Sequence, residues 1–142
     1  IMPGDQDLSL MHLELIFSQF FEVQSRFSFF FSHLQYLHQE YPSIIHQYRV
    51  ISRHRLDDAR ALVSYFVQTG RLKPEDDVFI HESLIKNIWI SNTFWQLQSS
   101  LLGEKEDFGA AMQHVWATIL PYLTPKGFEE YLLIKQERKN KQ

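Results

Sequence analysis

Seven histidines and 17 aspartates and glutamates are distributed along the 142-residue chain, and their spacing decides what chemistry they could support. A helix-borne metal site needs two ligands on one face, three or four residues apart, with a third converging on them. His33 and His38 are five apart and His46 and His54 are eight apart, while His81-Glu82 starts like a zincin helix but lacks the second histidine four residues on. No metal site is expected. The absence of cysteine removes thiolate ligands, disulfides and a cysteine nucleophile together, and it fits a reducing, cytoplasmic location. Glu75, Asp76 and Asp77 suit the start of a helix, where carboxylates complement the macrodipole, and Asp57 and Asp58 pair with Arg53 and Arg60 at helical spacing. No glycine-rich phosphate loop, nucleophile elbow or Ser/His/Asp pattern appears. The chain is expected not to be an enzyme and to need no cofactor.

A net charge of −3 argues against a nucleic-acid-binding face, since phosphate affinity comes largely from clustered Lys and Arg. The basic run "RVISRHR", with Arg49, Arg53, His54 and Arg55, is followed at once by two carboxylates and reads as a solvated helix face. The longest apolar stretch, residues 78–102, is interrupted by His81, Glu82, Lys86 and Asn87, so it does not read as a membrane span. Met2 follows Ile1, and the chain is expected to be a piece of a longer protein.

Few glycines and prolines punctuate the sequence, and the segments between them carry 3.6-residue periodicity, which makes the class all-α, one domain of about six helices over residues 1–142. A first helix, residues 7–23, places Leu13, Ile16, Phe17 and Phe20 on one stripe. A second, residues 25–40, carries Phe27, Phe30, Phe31, Leu34 and Leu37 on a buried face, with Phe29 opposite, and stops at Pro42. A turn at residues 43–48 leads to a third helix ending at Gly70. The fourth is capped by Asp76 or Asp77, ends at Gly103 and is the longest. A fifth starts near residue 105 and bends or ends at Pro121; Thr124 and Pro125 open a short sixth. Residues 1–6 and 137–142 are expected to be flexible.

The fourth helix is apolar on more than one side. Ile85, Trp89 and Asn92 share one face, and Ile90, Phe94, Leu97 and Leu101 another. One face can meet the domain's own core; the other needs a ligand, a helix or a second subunit. Ser91, Asn92 and Thr93 either bond to nearby backbone carbonyls or serve as the few polar handles of an apolar cavity. The fifth helix adds a stripe of Phe108, Met112, Val115 and Ile119, with Trp116 beside it. Two adjacent helices with surplus apolar surface favour a two-plus-two, four-helix dimer interface over a thick monomeric core.

Several ordered segments resemble the C-terminal domain of the TetR family of bacterial transcriptional repressors. These are "LHQEYPSIIHQYR", "RHRLDDARALVSYFVQTGRLKPE", "NIWISNTFWQL" and "EDFGAAMQHVWATILPYLTPKG", and the similarity spans residues 13–127. The resemblance implies a ligand cavity surrounded by the first four helices and a homodimer built on the fourth and fifth. Carried over by position, it implies pocket residues Phe17, Phe21, Phe31, Phe66, Trp89 and Asn92, and interface residues Phe94, Leu97, Leu101, Met112 and Trp116. It also implies a small hydrophobic or aromatic effector, with Arg26, Lys86 or a histidine available to an anionic group, and DNA binding only through an N-terminal helix-turn-helix that this chain does not include. The competing expectation is a helical protein–protein interaction module with a filled core and no small ligand; an enzyme using the same cavity is a weaker third.

Overall fold

Pro42 sets the layout of the middle of the chain. The residue before a proline is pushed out of the α region, and Tyr41 accordingly sits at φ −133°, ψ 73°. Proline itself is well placed in a first helical turn, where no amide is needed, so Pro42 both ends one helix and starts the next. The computed structural model describes residues 7–141. It comprises α1 (Met11–Arg26), α2 (Ser28–Ser32), α3 (Leu34–Glu40), α4 (Pro42–Gln68), α5 (His81–Leu101), α6 (Phe108–Ile119), a 3₁₀ turn (Leu120–Tyr122) and α7 (Pro125–Asn140). The all-α class stands, with four boundaries corrected.

The turn expected at residues 43–48 is helical, and α4 becomes the longest element at 27 residues, against 21 for α5. The single helix expected over residues 25–40 is broken at Phe27 (φ −115°, ψ 40°) and His33 (φ −118°, ψ 22°). The second break has a visible cause. The His33 ring donates through Nδ1 to the Phe29 carbonyl at 2.8 Å, taking the acceptor that the His33 amide would use in a helix, and that amide turns to Phe30 at 3.3 Å. The Phe29 ring stacks on the His33 imidazole, centroids 4.3 Å apart, and stays exposed.

Helix α5 begins at His81, not at the acidic cluster. Asp76 uses its carboxylate to close a turn, accepting from Phe79 N at 2.6 Å and Val78 N at 2.7 Å, while Glu75 reaches forward to accept from His81 N at 3.0 Å. At its other end, Gly103 (φ 71°) supplies the left-handed position after the cap. Helix α6 is capped by Asp107, which accepts from Ala110 N at 3.0 Å. Thr124 caps α7 by accepting from Gly127 N at 3.1 Å, as expected, but α7 is long and carries the charged stretch as continuous helix to Asn140. Of the ends expected to be flexible, residues 1–6 and 142 lie outside the described residues.

A clasp ties the loop after α4 to the start of α7. Leu72 and Leu123 form an isolated antiparallel bridge, flanked by Lys73 N to Tyr122 O at 2.8 Å and Thr124 N to Arg71 O at 3.1 Å. The two backbones approach so closely that a Cβ on Gly127 would lie 2.1 Å from the Arg71 carbonyl oxygen. The buried Arg71 guanidinium completes the clasp, bonding Glu130 at 3.0 Å and pairing with Asp7 at 3.5 Å, and Glu130 also accepts from Leu10 N at the head of α1. The core lies beside the clasp, with Leu10, Phe21, Phe66, Leu84, Val115, Trp116 and Ile119 almost wholly buried.

Gly127→Ala forces backbone apart and is expected to lower stability by about 1 to 3 kcal/mol, read as a fall in the urea midpoint. The amide bonds from Phe79 and Val78 hold the Asp76 carboxyl below its ordinary range. A carboxyl whose folded pKa is depressed adds stability that is present above the unfolded pKa and lost as pH falls through the folded one. Asp76→Ala is therefore expected to flatten the loss of stability between about pH 5 and pH 2 in chemical denaturation at a series of pH values.

Candidate ligand-binding cavity

Helix α1 carries two stripes that do different work. Leu13, Ile16, Phe20 and Val23 face a cavity, whereas Glu14, Phe21 and Gln24 are buried on the other side; Phe17 lies between and meets both. The cavity has a volume of about 690 Å³ and is walled by α1, α2, α4 and α5. Its aromatic side is organised by Phe20, whose ring meets Phe31 edge-on at 6.1 Å and Trp89 at 6.4 Å. Ile51, Leu62, Val63 and Phe66 of α4 close the opposite side, with Ile85 and Ile88 of α5 between.

Five of the six expected pocket residues, Phe17, Phe31, Phe66, Trp89 and Asn92, line this space. Phe21 does not. One position past Phe20, it is rotated by about 100° away from the cavity, where it packs edge-on against Trp95 of α5 at 5.5 Å and stacks over Phe108 of α6 at 6.2 Å. Phe20 and Tyr48 line the cavity without having been singled out for it, and Thr93, one of the three candidate polar handles, lines it beside Asn92. For Phe20 the signal was present, since it shares the stripe of Leu13 and Ile16. Of the cations expected to meet an anionic group, neither Arg26, Lys86 nor any histidine lines the wall; Arg55 does, and it pairs with Asp58 at 3.6 Å.

Buried polar groups around the cavity are treated unequally. Gln24, wholly buried, donates from Nε2 to the Thr93 carbonyl at 3.2 Å and accepts at Oε1 from Trp95 Nε1 at 3.0 Å. Glu14 accepts from Trp116 Nε1 at 3.0 Å and pairs with Arg138 at 3.0 Å. By contrast, Asn92 Oδ1 and Thr93 Oγ1 have no hydrogen-bond partner although their residues are only 7% and 2% exposed. Both residues line the cavity.

A second, open depression of about 620 Å³ lies on the outside, between α5 and α6, where Ile90, Phe94 and Gln98 face His114, Ala117 and Thr118. Phe94 and Leu101 are 45% and 73% exposed, and Leu97 is half-buried. Met112 and Trp116, expected on the same outer face, are buried within the chain at 5% and 0% exposure. The apolar stripe of α6 faces the domain's own core, so the outward side of that helix is small and polar.

The sequence pattern of the TetR family, described as a bacterial transcriptional repressor, matches residues 2–131. The chain belongs to the TetR family. A TetR-family transcriptional regulator from Marinobacter aquaeolei VT8 shares the fold, with a TM-score of 0.79 at 20% identity; the match covers 96% of this chain and 66% of that one. The chain thus spans less than two thirds of that TetR-family regulator's length. No curated protein matches by sequence. Among the described residues, no helix is long and apolar enough to cross a membrane.

An open cavity tolerates added volume where a packed core does not. Val63→Phe, which adds a ring at the cavity wall, is expected to leave the thermal midpoint unchanged or raise it. Val115→Phe adds the same volume at a position 1% exposed and is expected to cost about 1 to 3 kcal/mol. Thermal unfolding of the two variants side by side checks the contrast.

Proposed function

We propose that this chain is the effector-binding and dimerisation part of a TetR-family repressor, whose DNA contact is made by an N-terminal helix-turn-helix outside the chain. The observation that carries this is the cavity itself: it is large and aromatic, and two residues of its wall, Asn92 and Thr93, carry buried polar atoms without partners. A hydrophobic or aromatic molecule of drug-like size fits such a space. The competing interaction module requires a filled core, and a void of about 690 Å³ weighs against it. No covalent chemistry is involved, and the cytoplasmic location belongs to the same proposal.

Helix α1 is the natural output. It contributes Phe17 and Phe20 to the wall, and its head is held by Glu130 through the Leu10 amide. A ligand that prefers one setting of Phe17 and Phe20 shifts the population of α1 orientations, and with it the segment that precedes α1. In a dimer, that changes the spacing of two DNA-reading helices that must meet adjacent major grooves about one turn apart.

The homodimer is assigned to the α5–α6 face, with Phe94, Leu97 and Leu101 retained and with Ala117 and Thr118 in place of Met112 and Trp116. Static light scattering is expected to give twice the 17.0 kDa chain mass. Phe94→Arg and Ala117→Arg are each expected to weaken the dimer at least about tenfold while keeping the helical circular dichroism. Trp116→Arg, by contrast, should unfold the chain. A monomer at high concentration sinks the dimer, and native mass spectrometry showing a co-purified apolar compound supports the effector.

A further inference from the structure

We infer that the cavity takes an uncharged, mostly apolar molecule bearing a hydroxyl or equivalent group, seated on Asn92 and Thr93. This deepens the effector-binding proposal and rests on it. A threonine inside a helix ordinarily turns its hydroxyl to the carbonyl four residues back. Thr69 does so with Tyr65 at 3.1 Å, and Thr118 with His114 at 3.1 Å. Thr93 does not: its hydroxyl, like Oδ1 of the preceding Asn92, has no hydrogen-bond partner. The same stretch of α5 pairs Gln24 with Trp95 and with the Thr93 carbonyl; Gln96 Oε1 is also unpaired there, but Gln96 does not line the cavity, whereas Asn92 and Thr93 do. Both residues line the cavity but their polar atoms are covered, so a ligand hydroxyl reaches them only as the two side chains turn, then donating to the Asn92 carbonyl oxygen and accepting from the Thr93 hydroxyl.

Charge narrows the class further. Neither Asn92 nor Thr93 can neutralise an anion, and an uncompensated buried charge is far costlier than a buried hydroxyl. Among the lining residues the cation is Arg55, which is exposed and lies beside Asp58 at 3.6 Å, so the wall has little net charge to offer an ionised head.

The test uses four probes with one tail: 4-hexylphenol, hexylbenzene, 4-hexylanisole and 4-hexylbenzoate, titrated calorimetrically at neutral pH, where the phenol is un-ionised and the benzoate charged. The phenol is expected to bind at least about tenfold more tightly than hexylbenzene and the anisole. In Thr93→Val, and more fully in Asn92→Leu, that advantage should shrink to about threefold or less while hexylbenzene still binds. Without ligand, Asn92→Leu is expected to raise the urea midpoint, because it removes an unpaired buried polar atom, whereas Gln24→Leu should lower it. If phenol and hexylbenzene bind equally, the hydroxyl seat is wrong and the cavity stands. If the benzoate binds best and Arg55→Gln abolishes its advantage, the head is anionic and the inference is overturned. A lower midpoint for Asn92→Leu overturns it too, by making Asn92 a structural residue. If none of the four binds, the effector-binding reading falls and takes this one with it.

Discussion

Helix α5 carries more apolar surface than one neighbour can cover, and much of the architecture answers that constraint. Ile85, Ile88 and Trp89 face the cavity, Leu84 enters the core, and Ile90, Phe94 and Leu101 remain on the outside. A helix of this kind cannot lie on the surface of a bundle as an ordinary amphipathic helix does. It has to be central, and α1, α2, α4 and α6 all pack against it. The outward face is left uncovered by the described part of the chain, while the inward face meets aromatic residues that pack around an open space.

The second constraint is the split use of α1. Its core stripe is pinned by polar pairs of long sequence separation, Glu14 with Trp116 and Arg138, and Gln24 with Trp95 and Thr93. Buried pairs of this sort fix rotation about the helix axis, because a slip by one residue would bury a carboxylate without its partners. With the rotation fixed, Leu13, Ile16 and Phe20 have no choice but to face the cavity. The pocket wall is thus set by contacts on the other side of the helix.

Helical periodicity, glycine stops and a threonine cap made the all-α class, the C-terminal ends of α4 and α5 and the start of α7 legible in the sequence. The failures share a physical origin in groups that serve two purposes. Pro42 ends α3 and opens α4, so reading it as a stop alone produced a turn that does not exist. Asp76 looked like a helix cap because it is a cap, but of a turn that precedes the helix. For the site, the family resemblance carried Phe17, Phe31, Phe66 and Trp89 to the cavity, but by position it also carried Phe21 and left out Phe20, since neighbours on one apolar arc differ only in which helix they meet. Trp116 and Met112 were misplaced for the same reason. An apolar stripe announces burial, and whether its cover is the same chain or another is decided by tertiary packing.

The wall of the cavity is unevenly held. At one end, Arg71, Glu130, Thr124 and Gly127 lock α4, α7 and the head of α1 through backbone hydrogen bonds and a close approach that leaves no slack. At the other, α2 has five residues and buries none of them, and α3 buries Leu37 alone. Phe27, Phe29, Tyr36 and Tyr41 stand exposed there, and helices this short gain little from their own hydrogen bonds. Segments with few buried contacts open at lower free energy than the elements they adjoin. The cost of rearranging the cavity wall is therefore smallest at α2, which leads into the equally sparse α3, and the clasp end keeps its geometry while that side adjusts.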